Sequence, residues 1–275
     1  MRPKPIRWPN DAKIAVSFFV AFEAFERGSQ YRESKDKPDY ASLAYGEYGG
    51  KAGIWRIMDL FDRNGVKGSI DTNGRIAEDF PDALKALHAA GHEIVAHGWV
   101  NDTALSSLDA AQEKALIRRT LDALDSVTGQ RPIGWVSPGH RINEYTLRNF
   151  VDEGIVWTGD LPGPDNPECR IVDGKPLIIM PRLGYANDLS LIFRGKNPPQ
   201  FYFDSFKAAF DCLYAEGQAG EPKLIDCLVH AHIGGRPNMI GVFEECVRYA
   251  KGFRDTWFAT KGEIAKYYLN TYVRR

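Results

Sequence analysis

The chain has no apolar run approaching the roughly 20 residues that a membrane-spanning helix requires, which argues against an integral membrane role. Met1 to Pro9 contains prolines and charges but no apolar core, so no secretory signal is read there and a cytoplasmic location is expected. Cysteine is sparse and scattered. Cys169, Cys212, Cys227 and Cys246 form no C-x-x-C pair, so they are read as reduced thiols and not as a disulfide frame. Net charge is also small, at −1, and no global field draws the chain to nucleic acid or an anionic membrane. The expected partner is a small molecule. Several motifs are missing too. No G-x-G-x-x-G follows the first apolar segment, which weakens a dinucleotide role. No G-x-S-x-G, H-E-x-x-H or P-loop occurs, which removes the common serine hydrolase, zincin and NTPase readings.

What is present is an alternation of short apolar segments with amphipathic ones. Residues 1–12 read as an arm and residues 13–275 as one domain. Lys13 to Phe22 is a near-continuous apolar run, the pattern of a strand covered on both faces. Val66 to Thr72, His92 to Ala96, Ile133 to Val136, Ile155 to Thr158, Leu177 to Leu183 and Lys223 to His232 read as further strands. Helical spacing covers 52–64, 79–90, 108–128, 145–153, 205–215, 243–250 and 261–268, with Ser107 as the expected N-cap of the third. Such alternation predicts an α/β fold with a mostly parallel sheet, read as a single barrel. A doubly wound open sheet is the other architecture the pattern allows.

Polar residues follow nearly every strand: Glu23, Asp71, His97, His140, Asp160 and His230. In a barrel these ends share one face. Glu23 ends an apolar strand, where desolvation can raise a carboxylate toward a useful base; a rim carboxylate paired with Arg27 or Arg56 is equally compatible with its spacing. His97 sits at a His-Gly corner, as an acid/base or a ligand. His92, at the other end of that strand, reads as structural. His230 and His232 are two residues apart and, in a strand, project to one side. Ser137-Pro138-Gly139-His140-Arg141 offers a ring and a guanidinium, and Arg141 can grip a carboxylate or ureide oxygen. A carboxylate and several imidazoles at strand ends suit hydrolysis by activated water, with an acid for the leaving nitrogen.

These pieces, in order, resemble the polysaccharide deacetylase (NodB homology) superfamily: the strand ending at Glu23, Glu47 to Arg56, Gly91 to Trp99, Arg131 to Trp135, Asn187-Asp188, and His230 with Gly235-Arg236-Pro237. The resemblance is strongest to the intracellular branch that holds PuuE-type allantoinases, cyclic imide hydrolases and peptidoglycan-deacetylase-like proteins. It implies a distorted (β/α) barrel. It also implies Glu23, His97 and His230 as catalytic residues, and a homo-oligomer. Typical members end the first strand on two aspartates, base and metal ligand, where this chain has Ala21 and Glu23. Their His-x-x-x-His motif here reads His97 to Asn101. A divalent metal of the zinc class would therefore rest on Glu23, His97 and Asn101, a weak or absent site because an amide binds such ions less well than imidazole. Trp99, His140, Arg141 and His232 are the candidates for holding substrate.

The expected activity is hydrolysis of a carbon–nitrogen bond in a small cyclic or linear amide, ureide or imide. Two alternatives stand beside it: a metal-dependent deacetylase of N-acetylated sugar, with Trp99 or Trp135 stacking the ring, and a non-catalytic ligand-binding barrel. Specificity is expected in 28–50 and 159–202.

Overall fold

A computed structural model describes residues 5–27, 37–182 and 184–274. The part of the 28–50 loop that lies at 28–36 is outside the described residues. Among the described residues, nine strands form one curled sheet: β1 (Ile14–Phe22), β2 (Gly68–Thr72), β3 (Glu93–Ala96), β4 (Gly134–Trp135), β5 (Trp157–Thr158), β6 (Glu168–Val172), β7 (Lys175–Ile179), β8 (Lys223–His230) and β9 (Thr256–Phe258). The order is β6-β7-β5-β4-β3-β2-β1-β8, with β9 beside the start of β1. Every pairing is parallel except β6 with β7. The α/β barrel expected from the alternation, and the distorted form that the resemblance implies, are the fold, as a curled half-barrel. Asn187 bridges to Leu228 along the outer side of β8.

β1 shows why the apolar run is continuous. Ile14, Val16, Phe18, Val20 and Phe22 face the helices, and Ala15 and Phe19 face the barrel interior. Each fully buried Phe on the helix side contributes about 1.5–3 kcal/mol. The interior positions Ala15, Ser17 and Ala21 are small, and that leaves space above Phe19.

Several expectations shift. The helix at Ala110–Thr128 is capped by Asp109, not Ser107: Asp109 accepts from Gln112 N at 2.9 Å, and the Gln112 side chain returns to Asp109 N at 3.1 Å. This reciprocal box satisfies two helix-end donors, which Ser107 cannot reach from its own short turn. β7 begins earlier than the expected strand and pairs with β6, an antiparallel partner that carried no clear alternation. The last long strand stops at His230, and Ala231–Gly234 turn helical. Gly53 permits that turn to pack, since a Cβ there would lie 1.9 Å from Ala231 O. The arm at 1–12 is not loose where it is described: Ile6 and Trp8 are buried, and Trp8 Nε1 donates to Lys223 O at 2.9 Å. Among the described residues, no helix is long and apolar enough to cross a membrane.

Candidate active site

Glu23 follows the last residue of β1 and is 6% exposed. Three imidazoles surround it. Its Oε1 lies 3.5 Å from His97 Nε2 and 3.9 Å from His230 Nε2, and its Oε2 lies 4.0 Å from His232 Nδ1. Burial alone would raise the Glu23 pKa, but His230, His97 and His232 outweigh it and hold it at about 2. The expectation that desolvation lifts this carboxylate is thus reversed, because three rings converge on it.

His97 stands where β3 runs out, and Gly98 (φ +67°) turns the chain there. Its Nδ1 lies 2.5 Å from Val136 O and 2.8 Å from Asp71 Oδ2, which leaves Nε2 toward Glu23 and toward Asn101 Oδ1 at 3.2 Å. Burial disfavours the imidazolium, yet Asp71 and Glu23 outweigh burial and raise the His97 pKa well above its ordinary value. Burial in turn pushes Asp71 up to about 6.

His230 is held from behind by Asp188, which is fully buried. Asp188 Oδ1 is 2.6 Å from the ring Nδ1, and Oδ2 accepts from the His230 backbone N–H at 2.9 Å. The same carboxylate therefore fixes main chain and ring, and it turns Nε2 toward Glu23. Burial would lower the His230 pKa; Asp188 and Glu23 outweigh it and raise it. Asp188 belonged to the Asn187-Asp188 pair in the sequence, but nothing local tied it to a histidine 42 residues away.

His232 packs behind Glu23 among Phe25, Tyr45 and His230 rings, and burial lowers its pKa to about 4. A neutral, fully buried ring there supports the site and does not face the cavity. His140 does line the cavity, with φ +54° and Nδ1 3.5 Å from Asp160 Oδ1; burial lowers its pKa. Asp160 is fixed by Ser137, which donates from N at 2.6 Å and Oγ at 2.7 Å. Trp99 and Arg141 lie outside the cavity lining. The Trp99 ring carries the Arg119 guanidinium 3.4 Å from its centroid, and Arg141 is exposed beside Gly139. In the 47–56 segment, Tyr48 OH accepts from Arg56 at 2.8 Å and its ring stacks with Arg236.

Glu23, His97 and His230 share a cavity of about 140 Å³ with Asp71, Arg182 and Lys261. Lys261 is 3% exposed and pairs with Asp226 at 2.7 Å on the cavity floor. A second cavity of about 230 Å³ lies at the opposite end of the barrel, by His92 and Glu93. Glu93 there is already bonded by Ser69, Gly262 and Trp157, and Glu263 accepts from Thr260 N at 2.8 Å, so both carboxylates of that lining are already engaged.

Glu23, His97 and Asn101 converge, but they are a poor match for a tightly held divalent ion. Two strong donors meet one amide oxygen, and among the described residues no group of three His, Cys, Asp or Glu side chains could hold a metal.

The arrangement sets a carboxylate whose pKa is lowered against two imidazoles whose pKa values are raised, the pairing that acid–base chemistry at a carbonyl needs. The sequence matches the family model for polysaccharide deacetylase over residues 35–156. It is 23% identical to the peptidoglycan deacetylase of Helicobacter pylori over 96% of this chain and 99% of that protein. Two solved structures, a probable polysaccharide deacetylase from Pseudomonas aeruginosa PAO1 and a PuuE allantoinase, superpose with TM-scores of 0.89. Both are 29% identical, over 98% of this chain and 95% of theirs.

Proposed function

We infer that this chain, a carbon–nitrogen bond hydrolase carrying a polysaccharide deacetylase domain of the NodB type, acts on a small cyclic or linear amide, ureide or imide. The observation that carries this reading is the cavity of about 140 Å³ bounded by Glu23, His97 and His230. A cavity of about 150 Å³ holds one benzene-sized ring. The likeness to a protein named an allantoinase supports the same class of substrate.

In this reading, Glu23 orients the attacking water and takes its proton as the oxygen bonds to the carbonyl carbon. His97 Nε2–H faces the carbonyl oxygen and offsets its growing negative charge. His230 passes a proton to the nitrogen as the C–N bond breaks, with Asp188 holding the ring. The products are a carboxylic acid and a free nitrogen function. A carboxylate held at about 2 is a weak base at rest. Its basicity rises during the step, because the negative charge growing on the carbonyl oxygen offsets the His97 charge that helps hold it down.

The second reading, deacetylation of an N-acetylated sugar, is favoured by the family match and by the similarity to a peptidoglycan deacetylase over nearly the whole chain. The family's metal chemistry would belong to that reading. A panel of hydantoins, cyclic imides and chitooligosaccharides, each with and without chelator, separates the two. Turnover of a small ring that survives chelation is expected. Chelator-sensitive acetate release from the oligosaccharide, with no ring turned over, overturns the first reading. A homo-oligomer and a cytoplasmic location belong to the same proposal; light scattering of the purified chain checks the first.

A further inference from the structure

Arg182 stands at the mouth of the catalytic cavity, in the irregular stretch after β7. The residue is exposed, yet its head lies within electrostatic reach of three carboxylates: Asp226, Asp160 and Asp71. None of them is paired with it. Asp226 belongs to Lys261 at 2.7 Å, Asp160 to Ser137 at 2.6 and 2.7 Å, and Asp71 to His97 at 2.8 Å. Among the described residues, Arg182 therefore keeps its five N–H donors without a hydrogen bond or ion pair. Arg194 lines the same cavity and is likewise without a partner among the described residues.

The other charged groups of this cavity each have a bonded or ion-paired partner: Glu23 and Asp71 face His97, Glu23 also faces His230, and Lys261 faces Asp226. Arg182 and Arg194 are the two cations of the lining whose donors are not taken up among the described residues. A planar guanidinium with free donors fits a carboxylate through two parallel hydrogen bonds.

We propose that Arg182, with Arg194 beside the same mouth, binds a carboxylate of the substrate, so that the preferred substrate is a small amide, ureide or imide already bearing an anionic carboxylate. The reacting carbonyl lies at Glu23, His97 and His230, and the carboxylate points outward to the arginines. This assigns to Arg182 the anion-gripping part that the sequence pattern suggested for Arg141. It rests on the small-molecule reading above.

The test uses hydantoin-5-acetate and its neutral isostere, hydantoin-5-acetamide, with the full chain. Two readouts are taken: the ratio of kcat/KM values, and equilibrium binding by calorimetry. The wild type is expected to favour the acid by about 10- to 100-fold, the range for a hydrogen bond to a charged group, mainly through KM. Arg182→Gln should shrink that preference by most of this factor, and Arg182→Lys should restore part of it. Arg194→Gln should give a smaller loss. Equal handling of acid and amide by the wild type, or an acid preference unchanged in Arg182→Gln, overturns the assignment while leaving ring hydrolysis standing. Acid-selective binding lost in Arg182→Gln, with neither ring turned over, supports Arg182 and removes the ring-hydrolysis reading. Absence of binding by either compound overturns the assignment.

Discussion

Replacing His92 by Asn tests whether the far end of the barrel contributes stability without touching the chemistry. His92 is 4% exposed, accepts the Gly68 N–H on Nδ1 at 3.1 Å, and packs its ring 5.3 Å from Phe61. Burial, helped by Lys67, lowers its pKa from 6.5 to about 4. The unfolded chain binds a proton at this site below about 6.5, and the folded chain refuses it until about 4. Folding therefore releases a proton in that window, and stability rises with pH across it. The contribution is complete above pH 6.5 and is lost as pH falls toward 4. The shift of roughly 2.5 units corresponds to about 3 kcal/mol. Asn can offer an oxygen where Nδ1 stood and cannot titrate. Urea unfolding of both proteins between pH 4 and 7.5 should show the wild type losing about 3 kcal/mol more than the variant on acidification. Parallel stability curves would refute the reasoning. A matching fall in kcat at neutral pH would refute the placement of His92 away from the site.

Other consequences are as direct. Glu23→Gln and His230→Ala should each lower kcat by about 10²- to 10⁴-fold while the thermal transition survives, as read by turnover and circular dichroism; full activity in both would place the site elsewhere. Asp188→Asn keeps the shape but removes the charge 2.6 Å from His230 Nδ1. It should lower kcat by at least about 10²-fold and shift the alkaline limb of the kcat–pH profile downward, because His230 then loses its proton at lower pH. Gly134→Ala should cost about 1–3 kcal/mol in denaturant unfolding, since the new Cβ would lie 2.2 Å from the Trp157 ring.

Much of this site is legible in the sequence because of where it lies. Glu23 and His97 each follow the last apolar residue of a buried strand and His230 ends one, so the strand pattern alone brings their tips to one mouth. What the pattern hides is the partner of each group. Asp188 reaches His230 from the start of the helical stretch Leu189–Arg194, and Asp71 reaches His97 from the neighbouring strand; no periodicity joins residues that meet only through the tertiary fold. Lys261 reads as an ordinary charge opening the last helix, but its ammonium is drawn into the barrel by Asp226. Arg182 lies in a stretch with no regular spacing at all. Trp99 offers a ring to stack on a sugar and Arg141 a guanidinium to grip an oxygen, but neither lines the cavity. The backbone turns at Gly98 and Gly139, both at positive φ, carry those two side chains away from the cavity. His232 fails the period-2 argument because the strand stops two residues earlier.

The central claim is that a ring-sized substrate is hydrolysed by Glu23, His97 and His230. The most direct measurement is steady-state turnover of hydantoins and cyclic imides by the chelator-treated wild type, with Glu23→Gln as the control. Ring opening that persists after chelation and disappears in Glu23→Gln is the expected result. No ring opening under any condition, with metal-dependent acetate release from chitooligosaccharide, would contradict it.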